Sequence, residues 1–136
     1  MSNDISILYT GELRCEVSGD DPDRLVHTDA PADKGGKGQM FSPTDLLAAA
    51  LGTCVLTTMG MVAQRNGIDI TGTRVRVAKE MTSTPTRRVG KFALQIAFPP
   101  DKPLAAQERA RIEAAVRRCP VKESLHPDIA IEYLFA

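Results

Sequence analysis

The sequence predicts an α+β protein: an antiparallel β-sheet with a long buried central helix and a second helix. Three observations carry that reading. No charged side chain occurs from Leu46 to Gln64, and this run lies between a helix start at Ser42-Pro43 and a helix stop at Asn66-Gly67. Period-two alternation recurs in separate stretches, most cleanly at Phe92, Leu94, Ile96 and Phe98. The segments follow the order β β α β β α β, with strands in hairpin pairs rather than alternating singly with helices.

Taken in order, Ile5 to Val17 reads as one half-buried strand. Ile5, Ile7, Tyr9, Leu13, Cys15 and Val17 fall on one face, with Glu12, Arg14 and Glu16 on the other. Cys15 on that apolar face is a small buried hydrophobe. Residues 18–23 form a turn by composition, and Arg24 to Thr28 returns as a second strand. Asp29 to Phe41 has no periodicity. Its Gly35-Gly36-Lys37-Gly38 lacks the Ser or Thr after Lys that a phosphate cradle requires, so it is expected to be a mobile loop that could cover the start of the central helix.

Ser42 is a good N-cap, Pro43 fits the first helical position, and Asp45 occupies the acidic position of a capping box. Leu46, Leu47, Leu51, Val55, Leu56, Met59, Met61 and Val62 lie on every side of the helical wheel, which predicts burial all round. The run approaches the roughly 20 apolar residues of a membrane span. Its Ala, Thr and Gly content and its lack of flanking Trp or Tyr favour the central helix of a soluble protein.

Beyond Gly67, Ile68 to Thr84 and Gly90 to Phe98 are expected to pair as a hairpin. Pro99, Pro100 and Pro103 end that strand. Leu104 to Arg118 then reads as a helix with Ala105, Ile112, Val116 and Cys119 along one face, a stripe that Ala115 widens and that Glu108 and Arg109 interrupt near its start. Pro120 breaks it, one further turn follows, and Ile129 to Phe135 closes the chain as a strand.

Length and charge exclude several classes of function. The 136 residues are enough for one domain with a core and too few for two ordinary ones, so 1–136 is read as a single domain. Seventeen basic and 17 acidic residues cancel, which leaves no global field to draw the protein onto nucleic acid or an anionic membrane. The start MSNDIS has no basic segment followed by an apolar one, so the expected compartment is the cytoplasm. Three cysteines, an odd number without dense spacing, argue against a disulfide scaffold.

Cys54 and Cys119 have different settings. Cys119 precedes Pro120 at the start of a short helix, close to Arg117 and Arg118, and both a helix N-terminus and neighbouring cations favour thiolate. Cys54 sits among Leu, Ala and Met, where desolvation alone makes a thiol inert unless tertiary structure brings a cation to it. Taken singly, each is either a packing residue or a reactive thiol. His27 and His126 show no metal-ligand spacing with the cysteines, so no metal and no cofactor is expected. A Cys119/His126 nucleophile pair is a minor alternative to a surface histidine in a turn.

The pattern SPTDLLAAALGTC at Ser42 to Cys54, with RCPV at Arg118 to Val121, resembles the signature of the OsmC/Ohr family of osmotically inducible and organic hydroperoxide resistance proteins. The sixty-five positions between Cys54 and Cys119 and the element order suit that family over essentially the whole chain. The resemblance implies an intertwined homodimer, in which a second protomer covers the helix that is apolar on all sides. It implies a peroxidase in which Cys54 attacks an organic hydroperoxide, Cys119 resolves the sulfenic acid to a disulfide, and an external dithiol restores both. In the hydroperoxide resistance proteins an arginine and a glutamate hold the reactive thiolate. The arginine maps to Arg14 here, and the glutamate position falls on Thr44, with Asp45 one residue later. The alternative is a non-enzymatic protein of the same fold that binds an apolar small molecule in the dimer-interface pocket.

Overall fold

Three strands, not two, precede the central helix in the computed structural model, which describes residues 4–21 and 23–136. β1 (Ser6–Gly11), β2 (Arg14–Ser18) and β3 (Leu25–Asp29) form an antiparallel sheet in that order. The single strand expected from Ile5 to Val17 is folded back on itself. Gly11 pairs with Arg14, and the two residues between them, Glu12 and Leu13, have φ of 56° and 63°. A two-residue hairpin loop with both centres at positive φ matches the right-handed twist of its strands. Glycine or asparagine usually fills such positions, so this turn carries no sequence signal. Instead the Leu13 N–H donates to Tyr9 Oη (3.3 Å), and the Ala30 N–H donates to the Leu13 carbonyl (3.1 Å). The apolar alternation continues in phase through the loop, which is why it reads as one strand. In the turn before β3, Asp21 Oδ1 accepts from the Asp23 N–H (3.0 Å); Pro22, part of the expected turn, lies outside the described residues.

The glycine loop after β3 is bonded down rather than free. Gly36 N–H donates to the Pro31 carbonyl (3.1 Å) and Gly38 N–H to that of Ala30 (3.2 Å), while Lys37 and Gln39 N–H groups go to Asp29. A Cβ at Gly36 would lie 1.9 Å from the Ala30 carbonyl oxygen, so only glycine fits. The chain divides into two units, one ending at Leu47 with this sheet and loop and the other running from Ala48 to Ala136.

Helix α1 (Pro43–Arg65) begins with the expected capping box. Ser42 N–H donates to Asp45 Oδ2 (2.9 Å), and Asp45 N–H donates to Ser42 Oγ (3.1 Å). It ends at Gly67, φ 66°, with Gly67 N–H bonded to the Gln64 carbonyl and Ile68 N–H to that of Ala63, the Schellman pattern. The predicted burial on all sides is not met within one chain. Ala48, Leu51, Gly52, Val55, Met59 and Ala63 form one buried stripe, whereas Ala49, Thr53, Thr57 and Met61 are exposed. By length and composition α1 could cross a membrane, but its buried stripe packs on its own sheet. A Cβ at Gly52 would meet Val77 Cγ2 at 3.0 Å, so the absent side chain is what lets the helix approach β4.

In the second unit, β4 (Arg74–Thr82), β5 (Arg88–Ala97) and β6 (Ala130–Phe135) form a sheet in that order. β4 and β5 are the expected antiparallel hairpin, with Val75 opposite Ile96 and Val77 opposite Leu94. β6 runs parallel to β5, so the α+β architecture is as predicted with one pairing that is not antiparallel. A parallel pair needs a crossover, and residues 98–129 supply it. Within it α2 (Ala106–Ala115) continues as a 3₁₀ turn over Val116–Arg118, followed by α3 (Pro120–Glu123). The charges that interrupt the α2 pattern have local work. Glu108 accepts the Ala105 N–H (3.0 Å), and Arg109 pairs with Glu113 (2.7 Å) and lies over the Phe98 ring. Leu51, Val55 and Met59 of α1, Phe92, Leu94 and Ile96 of β5, and Ile112 and Val116 are among the fully buried core side chains of this unit.

A candidate dithiol site

Cys54 lies midway along α1 between the buried Leu51 and Val55 and is itself half-buried. Cys119 is fully buried at 0% exposure. Its place follows from the sequence. A residue before proline is driven out of the helical region, and Cys119 is extended (φ −68°, ψ 122°) between the end of the 3₁₀ turn and Pro120, the first residue of α3. This kink turns the sulfur inward, close enough to Cys54 for the two thiols to interact. Two sulfurs sixty-five positions apart thus meet within one chain.

The Cys119 thiol is pushed above its ordinary value, first by burial and then by its interaction with the Cys54 thiol; the backbone N–H groups of Lys122 and Val121 pull it down only in part. The helix start favours thiolate as expected, but desolvation outweighs it. Arg117 does not neutralise this sulfur: its guanidinium lies 5.8 Å from the centre of the Tyr133 ring. Tyr133, on β6, has a buried hydroxyl with no hydrogen-bond partner among the described residues. Nothing in the sequence pattern distinguishes it from its neighbours on that strand.

Arg14 opens β2 directly opposite Asp29 of β3. Its Nη2 donates to Asp29 Oδ2 (3.5 Å) and to Gln39 Oε1, while its Nε is buried without a partner among the described residues. Asp29 is fully buried and also accepts the N–H groups of Gln39 (3.1 Å) and Lys37 (3.3 Å). The Gln39 amide, more than any other group, holds the Asp29 carboxyl below its ordinary value against the opposing effect of burial, with Lys37 and Arg14 adding to it. Sequence reasoning passed over Asp29 and Gln39. The available signal was an aspartate at a strand end opening a glycine loop, the usual place for a carboxylate that caps backbone amides. Asp45 is engaged in the cap of α1. His126 Nδ1 accepts the Asp128 N–H (3.0 Å) in the turn before β6, the ordinary role rather than a partner for Cys119.

A fold of this order, with a cysteine on its central helix meeting a second cysteine at a Cys-Pro helix start, defines a class of small α+β dithiol proteins. The chain belongs to the OsmC-like protein family, whose model matches residues 36–133. It is similar to a crystal structure from Psychrobacter arcticus, a candidate osmotic stress induced and detoxification response protein, with 37% identity over 100% of this chain and 96% of that one and a TM-score of 0.91. An organic hydroperoxide resistance protein from Legionella pneumophila has 17% identity, coverage of 100% and 97%, and a TM-score of 0.78. The organic hydroperoxide resistance protein OhrB of Bacillus subtilis has 15% identity, coverage of 100% and 98%, and a TM-score of 0.72; these last two share the fold. No curated protein matches the chain.

Proposed function

We propose that the protein is a thiol-dependent peroxidase that reduces organic hydroperoxides, with Cys54 as the peroxidatic and Cys119 as the resolving residue. The juxtaposition of the two thiols carries this reading. Their unequal exposure supports these roles: a peroxide can approach the half-buried Cys54, and Cys119 is closed off. The Cys54 thiolate attacks one peroxide oxygen, the O–O bond breaks, and an alcohol leaves after taking up a proton. Cys119 then displaces the hydroxyl of the Cys54 sulfenic acid, releasing water and forming a disulfide. An external dithiol reduces that disulfide and is itself oxidised. The substrate class comes from the family, several of whose members are named for organic hydroperoxide resistance.

Arg14, the arginine that the family resemblance assigns to the reactive thiolate, has its guanidinium fixed within its own unit by Asp29 and Gln39. Asp45 contributes by fixing the start of α1. The working form is a homodimer. Ile5 and Ile7 (67% exposed each), Leu8 (62%), Tyr9 (61%) and, on α1, Met61 (53%) present apolar surface that a second copy would cover. Sedimentation at micromolar concentration is expected to give twice the chain mass.

The deciding experiment is turnover of tert-butyl hydroperoxide with a dithiol reductant. Cys54→Ser is expected to abolish it, while Cys119→Ser permits one oxidation of Cys54 and forms no intramolecular disulfide. Full activity in Cys54→Ser would overturn the reading and leave the apolar-ligand binder, with both cysteines as packing residues.

A further inference from the structure

The proposed cycle gives each sulfur a role, and at Cys119 the departing thiolate has the backbone N–H groups of Lys122 and Val121, which offset its burial only in part. A reductant approaching from solvent reaches the half-buried Cys54 and not the fully buried Cys119. The dithiol therefore attacks the Cys54 sulfur, the S–S bond breaks, and its electron pair departs on Cys119 as a thiolate in a dry site. The second thiol of the reductant then releases Cys54 from the mixed disulfide. At the end the reductant is a disulfide and the protein carries two thiols, so protons and electrons balance.

A thiolate leaving into a place without water needs a donor there. The Tyr133 hydroxyl is a buried donor with no partner among the described residues. Buried polar groups are nearly always paired, and a specific exception calls for a reason. The phenol is tied to the cysteine turn, because the guanidinium of Arg117, two residues before Cys119, packs on its ring. The charge of Cys119 is felt at the phenol, as are those of Arg117 and Glu123, and burial is the main reason that the phenol titrates above its ordinary value. It remains a proton-bearing donor throughout the range in which a dithiol works.

We propose that Tyr133 is the hydrogen-bond donor reserved for the Cys119 thiolate, unpaired in the dithiol state and engaged when the disulfide is opened. This rests on the peroxidase reading and assigns Tyr133 to the reductive half of the cycle. It also accounts for a buried hydroxyl that has no partner among the described residues while Cys119 is engaged with Cys54. The donor is idle until the sulfur carries charge.

The test is Tyr133→Phe, which keeps the ring and its contact with Arg117. Wild-type protein and variant are oxidised with one equivalent of tert-butyl hydroperoxide, the disulfide is confirmed by non-reducing mass analysis, and its reduction by dithiothreitol is followed by stopped flow. A hydrogen bond to a charged group corresponds to a reduction rate about tenfold to a hundredfold lower in the variant, with peroxide consumption by Cys54 unchanged. The thermal midpoint of the reduced variant should equal or exceed that of wild type, since no bond is lost; a merely structural tyrosine would lower it. Equal reduction rates in the two proteins would overturn the proposal while leaving the peroxidase reading intact. Failure of wild type to form the Cys54–Cys119 disulfide would sink the peroxidase reading itself.

Discussion

Asp29 and Cys119 are both ionisable and both 0% exposed, one in each unit of the chain, and their surroundings shift them in opposite directions, Asp29 toward its charged form and Cys119 toward its neutral one. Around Asp29 the backbone amides of Lys37 and Gln39 and the guanidinium of Arg14 converge, and the carboxyl titrates below its ordinary value despite burial. Around Cys119 two amides also point at the sulfur, but the neighbouring side chain is another thiol and the nearby guanidinium of Arg117 lies on a ring instead. That thiol titrates above its ordinary value. What separates the two is the supply of donors and cations, not the depth of burial. A permanently charged carboxylate can hold an arginine in place, and a neutral thiol beside Cys54 suits the resolving role proposed for it.

The largest expected effect comes from removing the donors around Asp29. Gly36→Ala would place a Cβ 1.9 Å from the Ala30 carbonyl oxygen, so the loop presenting Lys37 and Gln39 has to be rebuilt. A loss of about 3 kcal/mol or more is expected, in the range of the more severe single substitutions. Urea unfolding would measure it. A variant as stable as wild type would show that the loop does not hold the carboxylate charged, and the contrast with Cys119 would lose its basis.

Asp29→Asn is a smaller and more selective change. Because the folded-state value of Asp29 is depressed, its contribution to stability is fully present above its ordinary value of 3.8 and is lost as pH falls through the folded value. The variant should be less stable than wild type at neutral pH, where Arg14 loses its counter-charge, and the gap should narrow as the medium is taken below 3.8. Urea midpoints across that range test this, and a gap that does not depend on pH would mean that the carboxylate charge is not what matters.

The sequence made some of this legible, and the reasons are physical. α1 could be read almost to the residue because a capping box and a glycine stop are local, and β5 because its alternation is uninterrupted by charge. The hairpin at Glu12-Leu13 was hidden because side chains that normally avoid positive φ occupy it. The parallel pairing of β6 is set by the crossover through α2, which no local pattern reports. All-round burial of α1 is not met within one chain, which covers only the stripe from Ala48 to Ala63. The thiol pair became readable only through family resemblance, because neither cysteine's own surroundings point across sixty-five positions to the other. Tyr133 and Asp29 gave still less: an unpaired hydroxyl and a converging set of amides exist only once the chain is folded.

The smallest expected effect lies at the alkaline end and concerns Cys119 itself. Its folded-state value is raised above the ordinary 9.0, so its contribution to stability is fully present below 9.0 and is lost as pH rises through the folded value. Tyr133 is shifted in the same direction from an ordinary value of 10.0, so its window opens about a unit higher. Reduced wild-type protein should therefore begin to lose stability above 9.0, and Cys119→Ala should delay that onset toward the tyrosine window. Thermal midpoints measured in a phosphine reductant at half-unit steps resolve the two. If Cys119→Ala and wild type decline in parallel from the first step, the buried sulfur is not being kept neutral by its surroundings, and the opposition between the thiol and the carboxylate fails on the thiol side.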